Sequence, residues 1–254
     1  MSIPSLSLMG KLALVTGGRR GIGRAIALAF AEAGADVAVC DRVIEGGELA
    51  VVANEIEKFG RRSLVVQADT TDKSQVESMV KKIEVELGNI DILVNNTGIF
   101  TRTPVLEMPE EDWDEIIDIN LKSYYLCSQA VVKGMLGRRA GGIINLASIA
   151  GFRAGRSAYA VTKAGVVMLT RVLSQGLSEH GIRVNGIGPG VVKTDMTRGI
   201  FWRDSEESVS TEIISPARQM LGTDDVIGAA LFLASDASRN ITGHTIVIGG
   251  GDVG

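Results

Sequence analysis

Apolar runs and helical patterns alternate along the whole chain. Seven short runs are continuously apolar for most of their length, a pattern typical of strands buried on both faces. These predicted strands cover residues 12–16, 36–41, 63–69, 90–96, 141–148, 182–190 and 244–250. Stretches with apolar residues at helical spacing lie between them, at residues 23–34, 47–60, 72–88, about 110–136, about 157–179 and 223–235.

This alternation predicts the fold class. Successive strands joined by helices require right-handed crossovers, so we expect a doubly wound α/β fold whose parallel sheet of about seven strands carries helices on both faces. Gly60 closes the second predicted helix, and Asp72 is a predicted N-cap of the third. We find no linker or repeat and predict one domain over residues 1–254. The polar stretch 193–218 breaks the pattern, and we expect it to cover a substrate.

Composition and charge exclude several classes of function. The chain has 254 residues, of which 45% are hydrophobic and 22% charged, enough for a sizeable core. A net charge of −4 argues against binding to nucleic acid or to an anionic membrane surface. We expect no membrane span and no secretory signal. Cys40 and Cys127 are interpreted as small buried hydrophobes, so we expect a cytoplasmic protein without disulfides.

The first predicted strand runs directly into the glycine-rich turn TGGRRGIG, residues 16–23. Gly17, Gly21 and Gly23 permit a tight turn and open a helix whose free N–H groups attract a pyrophosphate. A glycine-rich turn alone is a weak signal, but its place between a strand and a helix favours a dinucleotide site. The spacing G-x-x-x-G-x-G differs from the G-x-G-x-x-G fingerprint and indicates another dinucleotide-binding family.

Asp41 ends the second predicted strand. A carboxylate there can accept hydrogen bonds from the adenosine ribose and would repel a 2′-phosphate, which favours NAD over NADP. Arg20 and Arg42 argue the other way, since either can reach a phosphate, and Asp41 can also be an exposed loop residue. We weigh Asp41 more heavily, because a buried clash of like charges costs more than a flexible arginine gains.

The stretch SAYAVTK, residues 157–163, places Tyr159 and Lys163 one helical turn apart on the same face. A phenol has an ordinary pKa of about 10, and a nearby ammonium would lower it. Ser148 ends the fifth predicted strand, where open α/β sheets bind ligands, although it can instead cap the next turn. Asn120 lies within a predicted helix, where asparagine is unfavourable; this suggests a functional position, the alternative being a solvent-facing residue.

Taken together, TGGRRGIG, NNTG (95–98), Asn120, Ser148, YAVTK and PGVVKT (189–194) resemble the short-chain dehydrogenase/reductase family over essentially the whole chain. The resemblance implies a Rossmann-type fold and an NAD-dependent oxidoreductase that interconverts a secondary alcohol and a ketone. It also implies a homotetramer, in which the helices near 110–136 and 157–179 pair between subunits and the last strand lies at a second interface.

The resemblance further implies a role for each matching residue. Tyr159 would be the general acid/base, Ser148 would hold the substrate oxygen, and Lys163 would bind the nicotinamide ribose. Asn120 would hold a water that relays protons from the lysine. The other implied cofactor contacts are Gly17, Arg20, Gly21, Ile22, Gly23, Asp41, Asp69, Asn95, Gly98, Pro189, Gly190, Val192 and Thr194.

Three other functions stay open. One is an NADP-dependent 3-oxoacyl-thioester reductase, and a second is a sugar-acid or polyol dehydrogenase with a carboxylate bound by Arg153, Arg156 or Arg203. The third is a non-catalytic dinucleotide sensor, which would have no use for the four intact catalytic positions. The two histidines, His180 and His244, lie on different elements, so we expect no metal site.

The chain departs from many family members between Ser148 and Tyr159, where the loop 149–158 is shorter. We expect the shortening to change the wall of the substrate site, with Phe152, Arg153 and Arg156 as the residues that line it. The identity of the substrate cannot be carried over across this change.

Overall fold

The computed structural model describes residues 5–202, 216–217 and 220–252. Its seven strands are β1 Leu12–Thr16, β2 Asp36–Asp41, β3 Ser63–Gln67, β4 Ile92–Asn95, β5 Gly141–Leu146, β6 Ile182–Pro189 and β7 Thr245–Ile248. Its α-helices are α1 Gly21–Glu32, α2 Glu48–Lys58, α3 Lys73–Glu86, α4 Glu110–Ile117, α5 Ser123–Arg138, α6 Ala158–Leu177 and α7 Asp224–Ala234.

The strands form one parallel sheet in the order β3-β2-β1-β4-β5-β6-β7. The predicted doubly wound Rossmann-type architecture is confirmed. The chain reverses its direction of winding between β3 and β4, so the loops that follow β1 and β4 open side by side. A crevice at the carboxyl ends of such strands is where open α/β sheets bind ligands.

Both faces of the sheet are covered, as the continuously apolar strands predict. Ala13 and Val15 of β1 pack with the cluster of α1, α2 and α7, which includes Phe30. Leu12 and Leu14 face the opposite side and pack with the cluster of α3 and α5. Successive residues of a strand point to opposite faces, so a strand in this position needs apolar side chains throughout.

The helix ends follow the predicted signals, with one difference. Asp72 caps α3 by accepting a hydrogen bond from the Ser74 amide at 2.7 Å, and its hydrogen bonds with Ser74 and Gln75 lower the pKa of Asp72 to about 2. The helix expected over about 110–136 is two helices, α4 and α5, joined by a π-helical turn at Asp118–Lys122. Asn120 therefore lies in the wider turn and not in a regular α-helix.

The predicted insert at 193–218 is described over residues 193–202 and 216–217. Thr197 organises the first part: its hydroxyl donates to the Val192 carbonyl at 2.6 Å and accepts from the indole N–H of Trp202 at 3.0 Å. Residues 203–215 and 218, including Arg203, lie outside the described residues. Within the described part of the chain, no helix is long and apolar enough to cross a membrane.

Candidate functional site

A cleft with a cavity of about 310 Å³ runs along the carboxyl ends of the strands. It extends from the end of β2 to the end of β5 and the first turn of α6. Most residues predicted from the sequence for cofactor binding or chemistry line it. They are Gly17, Arg20, Gly21, Ile22, Asp41, Asp69, Gly98, Ser148, Tyr159, Lys163, Pro189, Gly190, Val192 and Thr194.

The glycine-rich turn has the conformation that its glycines permit. Gly17 and Gly21 have φ angles of 61° and 55°, in the left-handed region that favours glycine. Gly23 does not line the cleft. A Cβ atom on Gly23 would lie 2.3 Å from the Gly17 carbonyl oxygen and 2.4 Å from Nδ2 of Asn96. Gly23 therefore allows α1 to begin against the turn, with its first amides toward the cleft.

Of the two asparagines in NNTG, the second holds the glycine-rich turn. Nδ2 of Asn96 donates to the carbonyls of Thr16 and Gly17, each at 3.0 Å. The prediction that Asn95 contacts the cofactor is not supported by its position. Its side chain is fully buried and donates to Oδ1 of Asn145 at 2.9 Å, so it ties β4 to β5 instead of lining the cleft.

At the far end of the cleft, Asp41 faces an arginine that the sequence analysis did not single out. Oδ1 of Asp41 accepts from the Val43 amide at 3.0 Å, and Oδ2 lies 3.6 Å from Nε of Arg19. Arg19 also pairs with Glu48 on α2. Burial lowers the pKa of Arg19, but Glu48 and Asp41 outweigh this effect and raise it, so the guanidinium stays charged. Among the residues that the structure describes, its buried Nε has no hydrogen-bond partner.

Two further predicted contacts line this end of the cleft. Arg20 pairs with Asp195 at 3.1 Å, which draws its guanidinium toward the segment after β6. Oδ1 of Asp69 accepts hydrogen bonds from the amide and hydroxyl of Thr71, at 2.9 and 2.7 Å. Both side chains are thus held in place by the chain itself.

At the other end of the cleft, Tyr159 and Lys163 face it from one side of α6. The Ser148 hydroxyl is close enough to hydrogen-bond the Tyr159 phenol, and it also accepts from the Ala150 amide at 3.1 Å. Ser148 therefore both caps the turn that follows it, at Ile149–Gly151, and lines the cleft. The ring of Phe100 packs edge-on against Tyr159, with centroids 5.0 Å apart, and no sequence signal identified this contact.

The pKa of Tyr159 differs from the sequence-based expectation. Burial raises it above its ordinary value, and the hydrogen bond with Ser148 offsets this in part. Lys163 does not reverse the effect: its Nζ lies 5.7 Å from the Tyr159 ring centroid, and burial lowers the pKa of Lys163 to about 7. A lowered Tyr159 pKa therefore requires positive charge beyond that of the described side chains.

Asn120 is fully buried, so the solvent-facing alternative is excluded. Its amide group pairs with the backbone of Ile99, accepting at 2.8 Å and donating at 2.9 Å, and also donates to the Thr162 hydroxyl at 3.2 Å. The side chain does not line the cleft. It connects the loop after β4 to α6, the helix that carries Tyr159 and Lys163.

The shortened loop is drawn onto α6, and none of its three predicted wall residues lines the cleft. Phe152 packs over Gly188, and Arg153 pairs with Asp252 at 2.5 Å. Arg156 is exposed, with its carbonyl accepting from the Val105 amide at 2.9 Å. A Cβ atom on Gly151 would lie 2.6 Å from the Lys163 carbonyl oxygen, which shows how closely the loop packs on the helix.

The residues present fit an extended dinucleotide. The left-handed glycines and the start of α1 form a cradle for a pyrophosphate between Asp41 at one end and Tyr159 at the other. Nε of Arg19, which has no hydrogen-bond partner among the described residues, is a donor available at the Asp41 end. Within the described ranges, no group of three or more His, Cys, Asp or Glu residues is placed to hold a metal ion.

Comparisons with known proteins agree with this site. Residues 17–252 match a family model described as enoyl-(acyl carrier protein) reductase. A 3-oxoacyl-(acyl-carrier-protein) reductase of Staphylococcus epidermidis is 40% identical, over 96% of this chain and 99% of its own. A 2-dehydro-3-deoxy-D-gluconate 5-dehydrogenase of Pseudoalteromonas atlantica is 38% identical, over 99% of both chains.

Solved structures show the same likeness. A gluconate 5-dehydrogenase from Burkholderia cenocepacia, in complex with NADP and tartrate, is 34% identical with a TM-score of 0.90 over 98% of both chains. A short-chain type dehydrogenase/reductase from Mycobacterium marinum is 36% identical with a TM-score of 0.86 over 96% of both. The chain therefore belongs to the short-chain dehydrogenase/reductase family and is an NAD(P)-dependent oxidoreductase that interconverts an alcohol and a ketone by hydride transfer.

Proposed function

We propose that the enzyme acts on a secondary alcohol or its ketone, uses NAD, and employs Tyr159 as the general acid/base. The observation that carries this proposal is the meeting of Tyr159, Ser148 and Lys163 at one end of a cleft whose other end begins at Asp41. A bound nicotinamide would supply the hydride acceptor or donor. The chain's own part is to orient the substrate and to move a proton.

In oxidation, the Ser148 hydroxyl holds the substrate oxygen beside Tyr159. The phenolate oxygen of Tyr159 accepts the proton of the alcohol while the carbon loses hydride, and in reduction the same phenol returns the proton. The Lys163 ammonium adds positive charge near the phenolate and binds the nicotinamide ribose. Asn120 holds Ile99 against α6, and we propose that its turn also holds the relay water.

The proposal of NAD as the preferred cofactor is supported by the charges at the adenosine end. Asp41 places a carboxylate where a 2′-phosphate would have to lie. Of the three arginines that line this end of the cleft, Arg19 is balanced by Asp41 and Glu48 and Arg20 by Asp195, which leaves Arg42 as the residue that argues for NADP. The Burkholderia relative was solved with NADP, so cofactor choice in this family must be tested for each chain.

A 3-oxoacyl thioester is the second candidate substrate. Phe100 and Phe201, with ring centroids 6.0 Å apart, form an apolar surface next to Tyr159. Arg153, considered above as a carboxylate ligand, is engaged with Asp252. These contacts favour an apolar chain over a sugar acid, and 3-oxoacyl reduction is the activity named for the Staphylococcus relative.

We also propose a homotetramer. Val161, Met168 and Val172 expose 49%, 53% and 58% of their surface along α6, and the edge strand β7 is only half-buried. Apolar surface of this kind on one helix is suited to a subunit interface.

We further propose a single cofactor-binding domain over residues 1–254, with residues 193–218 covering the substrate, and a location in the cytoplasm. Two free, buried cysteines agree with a reducing compartment.

The proposed function is tested with a panel of secondary alcohols, D-gluconate and 3-hydroxybutyryl-coenzyme A, each with NAD⁺ and NADP⁺, followed by absorbance. Tyr159→Phe should lower kcat by roughly 100-fold or more while nucleotide binding is retained. Tyr125→Phe, on exposed surface of α5, is the matched control. Full activity in Tyr159→Phe would contradict the role of the phenol. Nucleotide binding without turnover of any probe would favour the sensor alternative.

A further inference from the structure

Tyr124 of α5 packs directly against Lys163, and no feature of the sequence predicted a role for it. Its side chain is 1% exposed, and its hydroxyl donates a hydrogen bond to the Leu146 carbonyl at 3.1 Å. The same carbonyl accepts from Nζ of Lys163 at 2.7 Å. Nζ and the Tyr124 hydroxyl oxygen are 3.5 Å apart. The three groups form a triangle at the floor of the cleft, which Leu146 and Lys163 line and behind which Tyr124 lies.

The buried phenol of Tyr124 is held in its neutral form. Burial raises the pKa of Tyr124 well above its ordinary value, and negative charge on Tyr159 or Cys127 would raise it further. Since its proton is directed to Leu146, its oxygen is free to accept a hydrogen bond from Lys163. Its ring adds a second attraction, because Nζ lies 5.3 Å from the ring centroid.

This arrangement determines where the ammonium can point. A lysine ammonium has three N–H donors and no acceptor. The Leu146 carbonyl takes one donor, and the oxygen of the buried Tyr124 takes a second. Lys163 lines the cleft itself, so the third donor remains for whatever binds there.

We propose that Tyr124 is a positioning residue for the reaction: it anchors the Lys163 ammonium from below, so that one N–H faces the cleft and the positive charge is retained there. This proposal rests on the proposed function of Lys163. Among the described residues, the titratable groups that face this ammonium are Tyr159 on its own helix and, on α5, Tyr124 with Cys127 behind it.

Tyr124→Phe tests the proposal, because it removes the acceptor oxygen and keeps the ring. The titration of the Lys163 Cε resonance is followed by ¹³C NMR in the full chain labelled at lysine, with no nucleotide added, and is assigned by its absence in Lys163→Arg. With one acceptor fewer, the ammonium should lose its proton at a pH lower by about half a unit or more. Tyr125→Phe, the neighbouring exposed tyrosine, should leave the titration unchanged.

The second readout is the pH dependence of alcohol oxidation. The substrate is the one that the enzyme oxidises among the secondary alcohols, D-gluconate and 3-hydroxybutyryl-coenzyme A. The ratio of variant to wild-type rate should fall as pH rises, to about one third or less on the alkaline side, because the variant loses its ammonium at lower pH. A purely structural role for Tyr124 would lower this ratio equally at every pH.

An unchanged Lys163 titration together with a flat rate ratio would overturn the proposal. If Tyr124→Phe does not fold, 3-fluorotyrosine at position 124 is used instead. Its more acidic phenol is a weaker acceptor, so it should move the titration in the same direction. Failure of the proposed function is recognised separately, by full activity in Tyr159→Phe, and it would leave the NMR result standing.

Discussion

Nε of Arg19 lies 3.6 Å from the carboxylate of Asp41, and the same guanidinium bonds Glu48 on α2. The side chain of Arg19 is only 15% exposed, so this cation is fixed between two carboxylates at the adenosine end of the cleft. Because two carboxylates already balance its charge, this guanidinium should attract a 2′-phosphate only weakly. We therefore expect Glu48 to contribute to cofactor choice, although it does not line the cleft.

Glu48→Gln should make the site more tolerant of a 2′-phosphate, because it releases Arg19 from one of its two carboxylates. We expect the affinity for 2′,5′-ADP to rise roughly tenfold, which corresponds to the free energy of one charge-assisted hydrogen bond. The affinity for 5′-AMP should change little. Isothermal titration calorimetry measures both. Glu45→Gln, on the preceding loop, is the matched control. An equal change for the two nucleotides would show that Glu48 acts only on the shape of the site.

Gly23→Ala should disrupt the pyrophosphate cradle. The added methyl group would lie 2.3 Å from the Gly17 carbonyl oxygen, so the turn and the start of α1 must separate. We expect a loss of about 1–3 kcal/mol in the free energy of unfolding and a clear loss of NAD⁺ affinity. Thermal denaturation and calorimetry check the two effects. Gly137→Ala on α5, where a Cβ atom meets nothing within 4 Å, should be tolerated.

Lys163→Met should stabilise the protein in a pH-dependent manner. Burial lowers the pKa of Lys163 from 10.5 to about 7, so the unfolded chain binds more protons between these values and wild-type stability rises with pH there. Methionine carries no charge to bury. The variant should therefore melt higher by roughly 5 °C or more at pH 7 and below, with the difference shrinking toward pH 10.

Comparing the two proteins at each pH cancels the titration of shared buried groups that do not contact Lys163, such as Cys40. Lys133→Met, at an exposed position of α5, should show no comparable trend. A stabilisation that is the same at every pH would mean that packing, and not the buried charge, separates Lys163→Met from the wild type.

Val172→Glu should weaken the proposed assembly. The side chain is exposed on α6, so a carboxylate there is harmless to the monomer and unfavourable in a closed apolar interface. Light scattering should give the mass of a tetramer for the wild type and a smaller mass for the variant. Val85→Glu on α3, a residue that is 77% exposed, should leave the mass unchanged. If all three proteins had the mass of a tetramer, the subunit interface would not include Val172.

The sheet could be predicted closely because a strand covered on both sides needs apolar residues throughout. β1 and β2 have the predicted bounds, and Asp72 caps α3 as expected. The π-helical turn at Asp118–Lys122 could not be predicted. One extra residue in a helical turn displaces the apolar pattern by a single position, too small a change to recognise in residues 110–136, and in the structure Asn120 of this turn pairs with Ile99.

Contacts between distant segments explain the remaining differences. Whether Asn95 or Asn96 holds the glycine-rich turn depends on the register of β4 against β1, where the Asn96 amide meets the hydroxyl of Thr16, 80 residues earlier. The position of Arg19 depends likewise on Glu48 of α2. The spacing of Tyr159 and Lys163 shows that they share a helix face, but the pKa of each is set by its burial, which the spacing does not reveal.

The close packing of Gly151 on the backbone of Lys163 has a practical consequence for changing the substrate range of this enzyme. An exposed loop that packs against no other element usually tolerates insertions and substitutions. Here an added side chain at position 151 would press on the helix that carries Tyr159 and Lys163. Met196, which lines the cleft, and Phe201, which packs near Phe100, are better positions to vary.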